Sequence, residues 1–331
     1  MTADAPLRLG SRRSPMAISQ SGDVARLITE RTGRPVEIVG ITTLGDVSRE
    51  PVTQIGGTGI FVSALREALL RGEVDFAVHS LKDLPTGAAP GIALAAVPPR
   101  DDPRDVLVGH DGAKLADLSP GARIGTGSPR RAAQIVALRS DVQCVPIRGN
   151  ANTRLAKVHD GGLDGVVLAY AGLARIGRTD LVTEVFEPDD MVPCPGQGAL
   201  AVECRTADPG LAALLATVDH PATRSAVTAE RSLLAALEAG CSAPVGAYAA
   251  LQAGTNRLHL DAIVLGAPTG DLQPGALDSR ADVGRMVIRE RGEADAVDAA
   301  RLGHDLAARM LRLGAAGLMC VEKTNGNDVH D

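Results

Sequence analysis

The stretch GEVDFAVHSLKDL (residues 72–84) returns in altered form as GGLDGVVLAYAGL (161–173). Each copy opens with a glycine, places an aspartate three residues later, and then continues into an apolar run. Such a run is typical of a strand that is buried on both faces of a sheet. Two copies in one chain predict two related lobes.

A second repeated pattern also indicates two lobes. An apolar strand pattern precedes Ser14 and Pro15, and another precedes Ser128 and Pro129. Serine at the N-cap and proline in the first turn are signals for the start of a helix. Because strands alternate with helices, we predict an α/β fold with two lobes that carry mixed, mostly parallel sheets.

Two proline-rich stretches divide the chain. PPRDDPRD (98–105) and VPCPGQG (192–198) are predicted to cross between the lobes, since such composition interrupts regular structure. Beyond them, a long helical pattern is followed by alternating strand patterns, which predicts a small α+β domain. The expected boundaries are 1–99 for lobe 1, completed by a returning segment at 199–218, then 104–194 for lobe 2 and 219–331 for the C-terminal domain.

Composition excludes several classes of function. The 331 residues carry a net charge of −6 and only 2% aromatic residues, so we expect no nucleic-acid partner. The chain has no signal-peptide pattern and no apolar run of about 18 residues, which predicts a cytoplasmic protein without a membrane contact. Five cysteines without C-x-x-C spacing and scattered histidines predict free thiols and no metal site. Nothing in the sequence demands more than a monomer.

Arginines are concentrated in the loops that follow predicted strands, where ligands of α/β sheets bind. Guanidinium groups beside helix N-termini attract carboxylates and phosphates, so the ligand is expected to be polyanionic. Carboxylate is favoured over phosphate because GGTGIF (56–61) lacks the Walker spacing and its lysine. The arginines are Arg12, Arg13, Arg130, Arg131, Arg148, Arg154 and Arg175.

Two further positions are candidates for chemistry. Lys82 and Asp83 follow a predicted buried strand, and they are either a solvated ion pair or a pair that relays protons within a cationic pocket. Cys241 lies between glycine and serine in EAGCSAPVGAY (238–248), without a histidine base beside it. The residues alone leave open whether Cys241 is a nucleophile or an attachment point.

Many blocks of the chain resemble, in the same order, the porphobilinogen deaminase (hydroxymethylbilane synthase) family over residues 7–320. The blocks are LGSRRSPMA, GGTGIFVSAL, DFAVHSLKDLPT, RDDPRDVLV, IGTGSPRRAAQ, IRGNANTRL, LAYAGLARIG, PGQGALAVECR and AERSLLAALEAGCSAPVGAYA. The resemblance implies two periplasmic-binding-protein-like (type II) lobes with a double hinge, and a small α+β domain that bears a cysteine.

The resemblance also implies an activity. A dipyrromethane cofactor, made from two substrate units, would be held covalently at the position that matches Cys241. The implied enzyme is a transferase of tetrapyrrole (porphyrin and heme) biosynthesis. It would join four porphobilinogen molecules head to tail on this primer with release of ammonia, and then release the linear tetrapyrrole by hydrolysis.

Residue roles follow from the same resemblance. It implies that Asp83 and Lys82 are catalytic, with Asp83 stabilising positive charge and assisting proton transfers. The implied cofactor-binding residues are Cys241, Arg130, Arg131, Arg154, Ser128, Lys82 and Asp83. The implied substrate-binding residues are Arg12, Ser14, Phe61, Arg148 and Arg175. The chain departs from the family at Gln54 and Thr58, where many members have lysines, so no contact of those lysines is carried over.

Two rival interpretations remain at this stage. A hinged polyanion receptor without chemistry would explain the arginines but would not use Cys241 together with Asp83. A transferase with a cysteine nucleophile would form a transient adduct instead of a permanent one. The family interpretation adds the hypothesis that the lobes open about 98–105 and 192–198 to make room for the growing chain.

Overall fold

The structure is a computed structural model, and it describes residues 5–42, 60–239, 243–266 and 287–319. Within these residues the chain forms two five-stranded sheets and a three-stranded sheet. The two larger sheets belong to two lobes, and the smaller one belongs to a C-terminal domain.

The chain before the first crossing supplies four strands that point the same way. Ser14 caps the first helix by accepting a hydrogen bond from the backbone N–H of Ala17, and Gly33 (φ 69°) ends that helix, both as predicted. The elements are β1 (Leu7–Arg12), α1 (Pro15–Thr32), β2 (Val36–Ile41), α2 (Ile60–Leu70), β3 (Phe76–Ser80) and β4 (Ile92–Ala96).

The chain between the two crossings builds the second lobe on a similar plan. Its elements are β5 (Asp105–Gly109), β6 (Arg123–Thr126), α3 (Pro129–Leu138), β7 (Gln143–Pro146), α4 (Ala151–His159), β8 (Gly165–Ala169), α5 (Tyr170–Arg175) and β9 (Glu184–Phe186). β6 pairs in parallel with both β7 and β8, as β1 does with β2 and β3.

Each sheet is completed by a strand that arrives from the other lobe. β5 follows the first crossing and lies antiparallel between β8 and β9, which gives the order β7-β6-β8-β5-β9. After the second crossing, β10 (Leu200–Arg205) lies antiparallel between β3 and β4, which gives the order β2-β1-β3-β10-β4. A short helix, α6 (Pro209–Leu215), then packs on the first lobe.

The C-terminal domain packs three helices on an antiparallel sheet. The two longer helices approach so closely at Gly303 that a Cβ atom there would overlap the carbonyl oxygen of Ala229. The elements are α7 (Pro221–Ala236), β11 (Val245–Leu251), β12 (Arg257–Leu265), β13 (Val287–Asp295), α8 (Ala299–Arg312) and α9 (Ala315–Met319). The predicted fold class, two α/β lobes with mixed sheets and a small C-terminal domain, is therefore confirmed.

The two repeated stretches perform the same structural task in the two lobes. Asp75 is 2% exposed, and its carboxylate accepts a hydrogen bond of 2.8 Å from the backbone N–H of Arg8 at the start of β1. Asp164 accepts the equivalent bond of 2.7 Å from the backbone N–H of Arg123 at the start of β6. The repeated aspartate thus ties each central strand to its neighbour.

Candidate active site

The described residues among those predicted to form the two-lobe site lie near the carboxyl ends of parallel strands, where sheets of this kind bind ligands. Lys82 and Asp83 belong to a short 3-10 turn, Leu81–Asp83, that follows β3 directly. At the start of α1, the side chain of Met16 lies beside α5 of the second lobe, 3.6 Å from the place where a Cβ on Gly172 would be. The lobes therefore contact each other beside these strand ends.

Gln197, in the second crossing, connects the two lobes at this point. Its Oε1 accepts hydrogen bonds from Lys82 Nζ (3.1 Å) and from Arg131 Nη2 (3.3 Å). Its Nε2 donates to Asp105 Oδ1 (2.8 Å) and to the carbonyl oxygen of Pro103 (2.7 Å). Burial lowers the pKa of Lys82, and the positive charge of Arg131 lowers it further.

Asp105, at the start of β5, is fully buried between two arginines of α3. Its Oδ2 accepts a bond of 2.7 Å from Arg130 Nη2, and its Oδ1 accepts one of 3.0 Å from Arg131 Nε. Burial alone would raise the pKa of Asp105, but the charges of the two arginines and the bond from Gln197 lower it to about 2. One carboxylate therefore balances only part of the local positive charge.

The junction between the lobes carries more positive than negative groups. Arg154 donates from Nε to the carbonyl oxygen of Gly149 (2.8 Å), and burial followed by the charge of Arg131 lowers its pKa. Arg130 Nε is buried and has no hydrogen-bond partner among the described residues. This surplus of cationic groups fits a ligand with several carboxylates. The cationic groups are Lys82, Arg130, Arg131 and Arg154, and the acidic groups are Asp83 and Asp105.

Arg175 is held against the first crossing. Its guanidinium forms an ion pair with Asp101, and its side chain is only 9% exposed. Arg175 Nε is buried and, within the part of the chain that the structure describes, has no hydrogen-bond partner. A buried donor without a partner is costly, so this atom is a candidate contact for a bound carboxylate.

The remaining described site residues flank the same strand ends. Arg12 ends β1 and is half-buried, and Ser14 caps α1. Ser128 caps α3, where its hydroxyl accepts a bond of 3.4 Å from the backbone N–H of Arg131. Arg148 is exposed in the loop after β7. The structure thus places Ser14 and Ser128 at helix starts and Arg148 in a loop, as expected, whereas Arg12 is the last residue of a strand.

Several predicted residues fall outside the described part of the chain. Cys241, Gln54 and Thr58 lie outside the described residues, and so does the side chain of Phe61. The strand that follows Cys241 in sequence is described. Its Ala247, on β11, donates a backbone bond of 2.9 Å to the carbonyl oxygen of Pro193 in the second crossing. The domain that carries the loop is therefore in contact with that crossing.

Glu230 of α7 ties the C-terminal domain to both crossings. It is fully buried and binds Arg100 of the first crossing through two bonds of 2.6 Å and 3.1 Å. It also accepts backbone bonds from Gly196 of the second crossing (2.6 Å) and from Ala249 of β11 (2.8 Å). Tyr248 completes this contact, since the guanidinium of Arg100 lies 5.3 Å from its ring centroid.

Sequence reasoning missed three residues at the junction. Asp105 and Gln197 lie in or beside the proline-rich stretches, which were interpreted only as crossings, and Glu230 lies within a helical pattern. An aspartate at the start of a predicted buried strand indicates a carboxylate that needs a cationic partner, but this local signal does not identify the partner. A single glutamine carries no comparable signal.

Comparisons with known proteins agree with this architecture. Residues 7–213 match the family described as porphobilinogen deaminase, dipyromethane cofactor binding domain, and residues 225–312 match porphobilinogen deaminase, C-terminal domain. The chain belongs to the porphobilinogen deaminase family. A porphobilinogen deaminase of Thermobifida fusca is 59% identical over 94% of each chain. Porphobilinogen deaminase 1 of Streptomyces coelicolor is 56% identical over 95% of this chain and 97% of its own.

The predicted resemblance to the porphobilinogen deaminase family is thereby confirmed, and so is the family's dipyrromethane cofactor. Among solved structures, a periplasmic substrate-binding protein from Coxiella burnetii shares 16% identity with a TM-score of 0.41, covering 68% of this chain and 96% of that one. In the described residues, no helix has the length and apolar character that crossing a membrane requires.

Proposed function

We propose that this chain is a hydroxymethylbilane synthase, which condenses four porphobilinogen molecules with release of ammonia and releases the linear tetrapyrrole by hydrolysis. Each porphobilinogen carries two carboxylates, so the growing product is a polyanion. The observation that carries the proposal is the surplus of cationic groups at the lobe junction. The turn that carries Lys82 and Asp83 lies beside these groups. Membership of the family supplies the reaction.

The dipyrromethane cofactor is proposed to be attached to Cys241. When bound, it supplies the free α-carbon to which the first substrate unit is joined. We assign its carboxylates to a cluster in the second lobe, because this cluster combines guanidinium groups with a helix N-terminus. The cofactor-binding residues of this cluster are Arg130, Arg131, Arg154 and Ser128.

Asp83 and Lys82 are proposed to be the catalytic pair. The Asp83 carboxylate would accept hydrogen bonds from pyrrole N–H groups, stabilise the positive charge that develops as ammonia leaves, and take up the proton released on bond formation. Lys82 Nζ is held by Gln197 at 3.1 Å, and its lowered pKa makes it a better proton donor to the departing amine.

The incoming substrate is assigned to a second group of residues that flank the same strand ends. Both lobes contribute to this group, which suits a substrate that must meet the cofactor between them. The proposed substrate-binding residues are Arg12, Ser14, Phe61, Arg148 and Arg175.

The organisation of the molecule is part of the proposal. We place lobe 1 at 1–99 with the returning segment 199–218, lobe 2 at 104–194 and the C-terminal domain at 219–331. We also propose that the protein acts as a monomer in the cytoplasm. Size-exclusion chromatography with light scattering tests the first of these two points, because a dimer would double the measured mass.

Intact mass of the purified protein, with peptide mapping across Cys241, tests the function. We expect a permanent excess of two linked pyrrole units on Cys241, and further steps of one unit when porphobilinogen is added. An adduct that is lost during turnover would favour the transient-nucleophile transferase. A thiol that stays unmodified in the presence of substrate would favour the receptor without chemistry.

A further inference from the structure

The 3-10 turn Leu81–Asp83 is held from outside its own lobe by Arg231 of α7. Arg231 Nη1 donates to the carbonyl oxygens of Leu84 (3.0 Å) and Leu81 (3.5 Å). Its Nη2 donates to the carbonyl oxygen of Pro85 (2.7 Å). The three carbonyl groups flank Lys82 and Asp83 in sequence, so one guanidinium fixes the backbone on both sides of the proposed catalytic pair.

The Arg231 guanidinium donates to backbone carbonyl groups, and it is partly buried away from solvent. Burial lowers the pKa of Arg231, while the negative charge of Glu203 opposes that effect. Glu203 itself is already bound by Arg66 through bonds of 2.7 Å and 3.0 Å. Desolvating a guanidinium is compensated only if its donors stay paired, so the turn and α7 must hold a fixed relative position.

The residue that precedes Arg231 on α7, Glu230, contacts a different part of the molecule. Glu230 holds both crossings, whereas Arg231 holds the turn. The same helix ends at Ala236, and the chain then leads to Cys241. A single helix therefore joins the crossings and the turn to the segment that bears the cysteine.

We infer that Arg231 is a positioning residue, which keeps Asp83 in register with the C-terminal domain while the lobes move. The inference rests on the proposed function, because it assumes that Asp83 acts on a chain anchored at Cys241. Without the clamp the turn would shift, and a displacement of about 1 Å at a reacting group costs up to about 100-fold in rate.

The test compares Arg231→Met with Arg224→Met in the full-length holoprotein. Arg224 lies on the same helix and also reaches the first lobe, with a bond of 3.1 Å to the carbonyl oxygen of Ala95, but among the described residues it donates no hydrogen bond to the turn. We expect Arg231→Met to lower kcat about 30-fold with KM for porphobilinogen within about threefold of wild type, because the pocket arginines are untouched. Arg224→Met should keep kcat within about threefold.

Two measurements distinguish a positioning role of Arg231 from a general loss of stability or of cofactor. Hydrogen exchange should speed up in the peptide 81–85 of Arg231→Met and stay unchanged there in Arg224→Met. Intact mass should show the same cofactor adduct in both variants. Equal kcat in the two variants, or unchanged exchange at 81–85 in Arg231→Met, would overturn the inference.

Arg231→Lys decides the matter if Arg231→Met does not fold. Lysine keeps the charge but cannot bind two carbonyl groups through separate nitrogens of a planar fork, so kcat should fall about tenfold with folding retained. A kcat within about twofold of wild type would overturn the clamp. A wild-type protein without adduct or turnover would instead refute the proposed function, and the exchange comparison would still test the clamp.

Discussion

At the scale of single residues, hydrogen bonds from one neutral side chain stabilise the buried charged groups at the lobe junction. Gln197 turns its oxygen toward Lys82 and Arg131 and its nitrogen toward Asp105. The neutral amide satisfies groups of both signs without adding charge. The surplus positive charge is thereby left for a ligand instead of being neutralised by the protein.

The substitution Asp83→Asn tests the proposed catalytic acid. It removes the charge but keeps the shape, so we expect the Cys241 adduct to remain while turnover falls by about 100-fold or more. Steady-state kinetics together with intact mass measure both effects. Turnover near the wild-type rate would rule out this role.

Asp105 makes a testable contribution to acid stability. Its pKa is lowered from 3.8 to about 2, so its stabilising contribution of about 2 kcal/mol is complete above about pH 5 and is lost progressively as the pH falls through 3.8 to about 2. The difference in thermal stability between wild type and Asp105→Asn should therefore narrow as the pH falls from about 5 to about 2. Calorimetry over that range would contradict the assignment if the difference stayed constant.

At the scale of elements, α7 is the part that joins the three domains. Its residue Glu230 contacts both crossings and β11, and its residue Arg231 contacts the turn after β3. The crossings also bind each other, since the backbone N–H of Asp101 donates to the carbonyl oxygen of Gly198 (3.1 Å). α7 therefore contacts both of the segments about which the hinge hypothesis places the opening of the lobes.

The substitution Glu230→Gln should destabilise the protein strongly. Removing one partner of a buried ion pair leaves Arg100 uncompensated and costs about 3–5 kcal/mol. Glu293→Gln is the matched control, because its pairing with Arg257 is exposed and such pairs contribute about 1 kcal/mol or less. Thermal unfolding of the two variants should differ clearly, and equal midpoints would contradict the importance of the buried pair.

Sequence reasoning predicted local features better than long-range pairing. The caps at Ser14 and Ser128 follow from local backbone chemistry, and the structure shows both. The partnership of Arg130 and Arg131 with Asp105 depends on where β5 enters the second sheet, which no local pattern encodes. The arginines were recognised as a group, but their shared carboxylate was not.

At the scale of the whole molecule, the lobes are connected by two adjacent crossings, and the hinge hypothesis places motion there. As units are added to the cofactor, we expect faster hydrogen exchange at 98–105 and 192–198 and a larger radius of gyration by small-angle scattering. The physical reason is that a chain growing from a fixed anchor needs space between the lobes. No change in either measurement across the successive complexes would mean that the hypothesis should be dropped.

The exchange of β5 and β10 between the lobes also constrains how the protein is made. During synthesis, β3 and β4 leave the ribosome long before β10, the strand that must lie between them. The first sheet therefore waits, incomplete and with open strand edges, until more than half of the chain has been translated. The first lobe is thus exposed to aggregation during translation, and a nascent chain that stalls before residue 200 would present those edges to chaperones and proteases.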